Sequence, residues 1–316
     1  MSQPIEQSVI TETYRRIRPF IRQTPVMDCS PGTFGVESPI NLKLECLQHS
    51  GSFKARGAFN NLLKYKDSGM PVTAASGGNH GAAVAYVSKV LGLEATIFVP
   101  ETSSRAKIDR IRSYGATVHV EGERYADAAH LCSAFQQKTG AIDVHPYDSV
   151  PTIAGQATVG REWEQQVENL DTLLIAIGGG GLISGVASWF NKDRKIIGVE
   201  PTGSAALHKA LNAGRPVDIK VNSIAADSLG ARSAGQLTFE IISNRVADVV
   251  LVDDQVILDA QTRLWNEAQI ATEPGGAAAL AALISGAYVP QSDERVGVLI
   301  CGGNVDLSRL ATTLGD

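Results

Sequence analysis

Lys54 sits in the segment Gly51-Ser52-Phe53-Lys54-Ala55-Arg56-Gly57, between an aromatic and a small side chain and just ahead of an apolar helical pattern. Burial of such a lysine lowers its pKa and makes it a usable nucleophile or base, as Schiff-base chemistry requires. The plainer alternative is a surface lysine whose stem lies along apolar neighbours. A second segment, Ser76-Gly77-Gly78-Asn79-His80-Gly81, offers a hydroxyl, an amide and an imidazole around glycines at a helix start. That set can receive a carboxylate, although Ser76 or Asn79 could equally serve as an ordinary helix cap. A third, Gly178-Gly179-Gly180-Gly181-Leu182, follows an apolar run and opens a helix, where bare backbone N–H groups converge on a phosphate. Its glycines could instead serve only a tight turn and close packing. The run is neither a Walker loop nor the G-x-G-x-x-G dinucleotide fingerprint, though Glu200 lies near the spacing at which a dinucleotide site keeps its acidic residue. The last glycine-rich turn, Cys301-Gly302-Gly303-Asn304, follows an apolar run near the end of the chain.

These segments need a scaffold. Apolar, β-branched runs at Val72–Ala75, Ala95–Val99, Ala116–Val120, Leu173–Ile177, Lys195–Val199, Val249–Val252 and Val296–Ile300 predict strands. Between them, apolar residues at three- and four-residue spacing predict helices over Gly81–Leu91, Ser104–Tyr114, Tyr125–Lys138, Ile153–Val167, Gly181–Asn191, Asp254–Gln269 and Gly275–Ile284. Alternating strands and crossover helices indicate an α/β fold with a mostly parallel sheet covered on both faces. In such sheets ligands bind beyond the carboxyl ends of the strands, where the glycine-rich turns fall.

Taken together in chain order, GSFKARGA at Lys54, SGGNHG from Ser76 to Gly81, GGGGL from Gly178 to Leu182, GVEP from Gly198 to Pro201 and CGGNVD from Cys301 to Asp306 resemble the fold-type II pyridoxal-phosphate enzymes. The resemblance runs from about Thr24 to Leu307. Within that superfamily it is most similar to the serine/threonine dehydratase and serine racemase branch, with His80 as the discriminating letter. It implies a tryptophan synthase β-like, two-domain open parallel-sheet fold. The larger, cofactor-binding domain would comprise residues 1–70 and 148–316, with 71–147 as a small inserted domain. By resemblance, Lys54 carries pyridoxal 5'-phosphate covalently and takes the Cα proton, and Phe53 packs on its ring. Asn79 bonds the ring hydroxyl, Gly178, Gly179, Gly180, Gly181 and Leu182 hold the phosphate, and Cys301 faces the pyridine nitrogen. Ser76, Asn79 and His80 take the substrate carboxylate. The implied reaction is elimination and deamination of L-threonine or L-serine to a 2-oxo acid and ammonia.

Departures from the family pattern carry information as well. Racemases of the branch have a serine one residue after Ser76 that protonates the opposite face of the substrate; here Gly77 cannot, so racemisation is expected to be minor. Relatives that bind a cation use an acidic residue at the position of Glu200 and another six residues on, where this chain has Ala206. Glu200 therefore stands as the one candidate ligand for a divalent or monovalent cation. Asp227, Ser228, Gly230 and Glu273 fall near the cofactor in relatives, although Glu273 reads equally as a helix N-terminal carboxylate. Arg105 and Lys107, beside an apolar stripe, read as a solvated helix face.

The chain has 316 residues and a formal charge of -5, which disfavours nucleic acid as a partner because such binding rests on clustered Lys and Arg. The first residues hold no long apolar run, so a membrane partner is not expected and the chain is expected in the cytoplasm. Four scattered cysteines fit reduced thiols rather than a disulfide or zinc framework. CGGNVD lies close to the chain's end, so the C-terminal regulatory domain of biosynthetic threonine deaminases is not expected. The expected partners are a small amino acid and a second copy of the chain as a homodimer. Serine racemase, threo-3-hydroxyaspartate dehydratase and phenylserine dehydratase are the neighbouring alternatives. A non-catalytic phosphate- or nucleotide-binding protein, using the glycine turns alone, is the distant one.

Overall fold

The computed structural model describes residues 5–123 and 125–315; residues 1–4, 124 and 316 lie outside the described residues. The strands are β1 Val26–Cys29, β2 Ile40–Leu44, β3 Val72–Ala75, β4 Ala95–Val99, β5 Thr117–Val120, β6 Ile142–Asp143, β7 Thr172–Ala176, β8 Lys195–Pro201, β9 Asp248–Val252 and β10 Val296–Ile300. They form two sheets. One has the order β1-β2-β10-β7-β8-β9, and the other, inserted in the chain between β2 and β7, the order β5-β4-β3-β6. Every pairing is parallel except β1 against β2, so the predicted mostly parallel α/β class is the one observed.

The helices are α1 Gln7–Ile17, α2 Lys54–Leu62, α3 Asn79–Leu91, α4 Arg105–Ser113, α5 Tyr125–Thr139, α6 Val150–Gln166, α7 Gly181–Phe190, α8 Ala206–Ala213, α9 Ala226–Leu229, α10 Gln236–Arg245, α11 Asp254–Ala268, α12 Pro274–Ile284 and α13 Leu307–Gly315. Local chemistry sets their ends. Ser149 caps α6 by accepting from the Thr152 amide, and Pro151 occupies its first turn. α3 stops at Gly92, whose φ of 69° suits the left-handed turn that closes a helix. α12 is almost wholly Ala, Leu and Gly and packs on β7, β8, β9 and β10 as the buried layer of the larger sheet. A separate apolar cluster from α2, α3, β3 and β4 forms the core of the smaller sheet.

β1 and β2 are not predicted by the apolar pattern, and Lys43 explains why. All five residues of β2 are buried, including this lysine, whose ammonium donates to Glu162 at 2.7 Å, Gln166 at 2.6 Å and the Thr24 carbonyl at 2.8 Å. Beside it, Arg56 of α2 donates to both oxygens of Glu45, at 2.7 and 2.8 Å, and to Glu162 at 2.9 Å. Lys43, Glu45, Arg56 and Glu162 are all fully buried, so two cations neutralise two carboxylates inside the protein. Burial alone would raise the Glu162 pKa, but Arg56 and Lys43 hold it below the ordinary range. The cluster pins α2, and with it Lys54, to β2 and α6.

Candidate active site

Lys54 is the first residue of α2, and its amine points away from solvent to donate to the Pro146 carbonyl at 2.7 Å. Burial lowers its pKa from 10.5 to about 8, which leaves a usable neutral fraction near neutral pH. The surface-lysine alternative does not describe it. Phe53 directly precedes it, with the ammonium 5.1 Å from the ring centroid, and its amide reaches the Cys301 carbonyl at 3.3 Å. Cys301 directly follows β10 and is buried; its thiol donates to the Gly275 carbonyl at 3.3 Å, and burial pushes its pKa well above the ordinary thiol value. The group there is a neutral thiol rather than a thiolate.

The glycine run turns from β7 into α7. Gly180 holds φ at 94°, a backbone state that side chains disfavour, and a Cβ at Gly181 would come within 2.9 Å of the Tyr147 backbone. A Cβ at Gly178 would stand 3.1 Å from Leu229, and one at Gly179 would overlap the Tyr147 ring. Only bare backbone fits this turn, and its N–H groups lie at the positive end of α7. Phe53, Lys54, Asn79, Gly178, Gly179, Gly180, Gly181, Leu182 and Cys301 all line one cavity, together with Tyr147, Ser228 and Leu229. Tyr147 carries no motif and has no sequence signal; the chain brings it here as it leaves the smaller sheet.

The donor set fits pyridoxal phosphate: a deprotonatable amine for its aldehyde, a backbone cradle for its phosphate and a neutral thiol nearby. Asn79 donates from Nδ2 to Glu273, whose carboxyl pKa is raised by complete burial, and accepts on Oδ1 from Asn304 at 2.6 Å. Glu273, at the head of α12, thus bonds a residue that lines the cavity.

Ser76 and His80 lie just outside the cavity wall. Ser76 Oγ accepts from the Gly78 amide at 3.2 Å. The His80 imidazole is tied through Nε2 to the Val144 carbonyl at 2.5 Å, and burial lowers its pKa to about 3, so the ring is neutral. Glu200 does not line the cavity: its two oxygens accept the amides of Leu207 at 2.9 Å and His208 at 2.8 Å, capping α8. Burial raises its pKa to about 7. Among the described residues, no three His, Cys, Asp or Glu side chains gather into a metal-ligand set.

One sequence expectation is corrected. Of the two α4 residues read as a solvated face, Arg105 faces water, but the Lys107 side chain is only 17% exposed and pairs with Asp227 at 2.9 Å; Arg110, further along the helix, donates to Asn304. The apolar stripe shows which face of α4 is buried, but not that its polar edge meets another part of the protein.

Comparison with known proteins shows the family. The family model described as pyridoxal-phosphate dependent enzyme matches residues 17–302. The chain is 38% identical to phenylserine dehydratase of Ralstonia pickettii, over 98% of this chain and 96% of that one. It is 35% identical to the catabolic L-threonine dehydratase of Staphylococcus aureus, over 96% and 90%. The structure of maize serine racemase superposes with a TM-score of 0.90 at 33% identity, covering 99% of this chain and 98% of that one. A lysine amine, a glycine cradle and a neutral thiol around one cavity, in a chain matched over nearly its whole length, place this protein in the family of pyridoxal-phosphate dependent enzymes.

Proposed function

We propose that this protein catalyses α,β-elimination from a β-hydroxy amino acid, L-threonine or L-serine, releasing a 2-oxo acid and ammonia. The observation that carries the reading is the buried Lys54 amine, with its pKa lowered to about 8, on the same cavity as the Gly178–Gly181 turn and the neutral Cys301 thiol. Pyridoxal 5'-phosphate, when bound, supplies an aldehyde that takes up amines and a ring that accepts the electron pair left at Cα.

The protein's own groups do the rest. Lys54, whose amine donates to the Pro146 carbonyl, would hold the cofactor through its aldehyde and would take the Cα proton at Nζ. The Gly178 to Leu182 turn binds the phosphate through backbone amides, and Phe53 flanks the ring. Cys301 lines the cavity with a neutral thiol and would face the ring nitrogen of a bound cofactor, which a carboxylate there would keep protonated. A thiol that stays neutral would leave a bound ring a weaker electron sink than a carboxylate would, which suits prompt loss of the β-hydroxyl. The first-turn backbone amides of α3, that of Asn79 among them, receive the substrate carboxylate with the Ser76 hydroxyl. His80, tied to Val144 and neutral, keeps a positive charge away from Lys54. Elimination releases one water and the later hydrolysis takes one up, so one amino acid gives one 2-oxo acid and one ammonia.

The proposal extends to a division of the chain into residues 1–70 with 148–316 and an inserted domain of 71–147, supported by the two separate sheets. It also includes a homodimer and a cytoplasmic site of action; no helix among the described residues is long and apolar enough to cross a membrane.

A bulkier substrate, phenylserine, is the second reading. It is favoured by the 38% identity to phenylserine dehydratase and by a cavity of about 1060 Å³ that shares Ser228 with the cofactor cavity. The test is 2-oxo acid release from L-serine, L-threonine, threo-3-hydroxyaspartate and phenylserine by the wild type and Lys54→Ala. Release that disappears in the variant supports the reaction and ranks the substrates. No release from any of the four by a protein that binds the cofactor would overturn it.

A further inference from the structure

Four side chains run in a line beside the cofactor cavity. Arg110 of α4 donates from Nη1 to Asn304 Oδ1. Asn304 Nδ2 donates to the Ser50 carbonyl at 2.8 Å and to Asn79 Oδ1 at 2.6 Å. Asn79 Nδ2 donates to Glu273 Oε1. Asn304, Asn79 and Glu273 are buried, and glycine makes room for them at two places. A Cβ at Gly51 would overlap Asn304, and one at Gly302 would overlap Glu273 and stand 3.2 Å from Asn79 Nδ2.

The order of donors and acceptors in this line is chemically determined. An amide can face either way, and its oxygen and nitrogen are nearly the same size. A guanidinium only donates and a peptide carbonyl only accepts. With Arg110 on one side and the Ser50 carbonyl on the other, Asn304 has a single satisfied orientation, with Nδ2 toward Asn79. Asn79 must then turn its oxygen to Asn304 and its NH₂ to Glu273. One N–H of that NH₂ is used by Glu273, and Asn79 itself lines the cavity.

The line also alternates between the two sheets. Arg110 and Asn79 belong to helices that follow strands of the smaller sheet, whereas Asn304 and Glu273 follow β10 and precede α12 of the larger one. Three hydrogen bonds therefore cross from one sheet's elements to the other's, beside the Lys107–Asp227 ion pair that crosses likewise.

We propose that Arg110, Asn304 and Glu273 are positioning residues that form a polarity relay, orienting the Asn79 amide so that its remaining N–H is presented to the ring oxygen of the cofactor. The inference rests on the proposed cofactor site for the last step, but the amide orientation does not depend on it. Because the relay crosses between the sheets, Asn79 is aligned only when α4 is seated on the larger sheet.

Two variants separate orientation from packing. Asn304→Asp keeps size and the Arg110 contact but replaces the donor facing Asn79 with an acceptor. Arg110→Met removes the donor-only group, and Arg110→Lys restores it. The first readout is the Asn79 side-chain amide resonance in cofactor-free protein, identified by its disappearance in Asn79→Asp, with thermal unfolding to confirm the fold. The second is the visible absorbance maximum after loading with pyridoxal 5'-phosphate, together with kcat and KM. The relay predicts a displaced Asn79 resonance in Asn304→Asp and Arg110→Met and a near-native one in Arg110→Lys. It also predicts a shifted absorbance maximum and a kcat lowered by about tenfold to a hundredfold in Asn304→Asp, with a smaller change in KM. An Asn79 resonance unmoved in both Asn304→Asp and Arg110→Met overturns the relay. A displaced resonance in a protein that binds no pyridoxal phosphate supports the relay and removes the proposed function instead.

Discussion

The Lys54 amine and the Pro146 carbonyl, 92 residues apart in the chain, meet at 2.7 Å, joining the start of α2 to the point where the chain leaves the smaller sheet. The amine is largely shielded from water with no carboxylate beside it, so its charge is costly to the folded state. Below pH 8 the folded and unfolded chains are both protonated at Lys54, and the folded state bears the whole cost. Between about 8 and 10.5 the unfolded chain retains a proton the folded one has released, so stability rises with pH; above 10.5 neither is charged. Cofactor-free Lys54→Met is therefore expected to be more stable than wild type at pH 7, by on the order of 3 kcal/mol. The gap closes toward pH 10.5. Urea unfolding across that range checks it, and a gap that does not vary with pH would show that the amine is not its source.

The glycine turn yields a prediction about binding. In Gly181→Ala the new methyl meets the Tyr147 backbone at 2.9 Å, which cannot swing aside as a side-chain tip can. Cofactor affinity should fall by about a hundredfold and stability by about 1–3 kcal/mol. Gly214→Ala is the control: it has a φ of 67° but open space around it, so it should lose about 1 kcal/mol and keep its affinity. Titration with pyridoxal phosphate, followed by fluorescence, separates the two.

Arg56→Met leaves two buried carboxylates with one cation, and breaking such a cluster costs about 3–5 kcal/mol. Arg56→Met with Glu45→Leu leaves the neutral Lys43–Glu162 pair intact and should recover most of that loss. Because the Glu162 pKa is depressed in the fold, its stabilisation is present above the ordinary carboxylate range and is lost as pH falls through its folded value. Unfolding of the wild type and both variants at neutral and acid pH tests the cluster.

A Cβ at Gly77 would overlap the hydroxyl of Ser103 and come within 2.9 Å of its Cβ. Space at this point is therefore shared between two loops. Wild type is expected to form little D-serine from L-serine relative to 2-oxo acid. Gly77→Ser combined with Ser103→Gly should raise D-serine formation several-fold, whereas Gly77→Ser alone should lose stability. Chiral chromatography of the products reads the ratio; D-serine formed by wild type as fast as 2-oxo acid would refute the reading of Gly77.

Much of the framework was legible because local rules govern it. The runs at β3, β4, β7, β8, β9 and β10 are almost purely apolar, and a strand buried on both faces needs little else to be recognised. β2 was not legible, since a pattern of apolar residues counts Lys43 against a buried strand. Only Glu162, from a helix more than a hundred residues later, makes that lysine tolerable there. Tyr147 and the inward edge of α4 were hidden for the same reason: their roles depend on neighbours distant in sequence.

The sequence alone determined the α/β class, a turn of four glycines between strand and helix, the lysine between an aromatic and a small side chain and the family those motifs mark. These are properties of short segments, in which residue type dictates backbone freedom and periodicity. Tertiary structure decided which of the groups meet. It buried Lys54 deeply enough to lower its pKa, turned His80 toward Val144 and gave Glu200 to the start of α8. It also set Arg110, Asn304, Asn79 and Glu273 in one line. Burial and amide orientation follow from the packing of one sheet's elements against the other's, and no segment carries that information by itself.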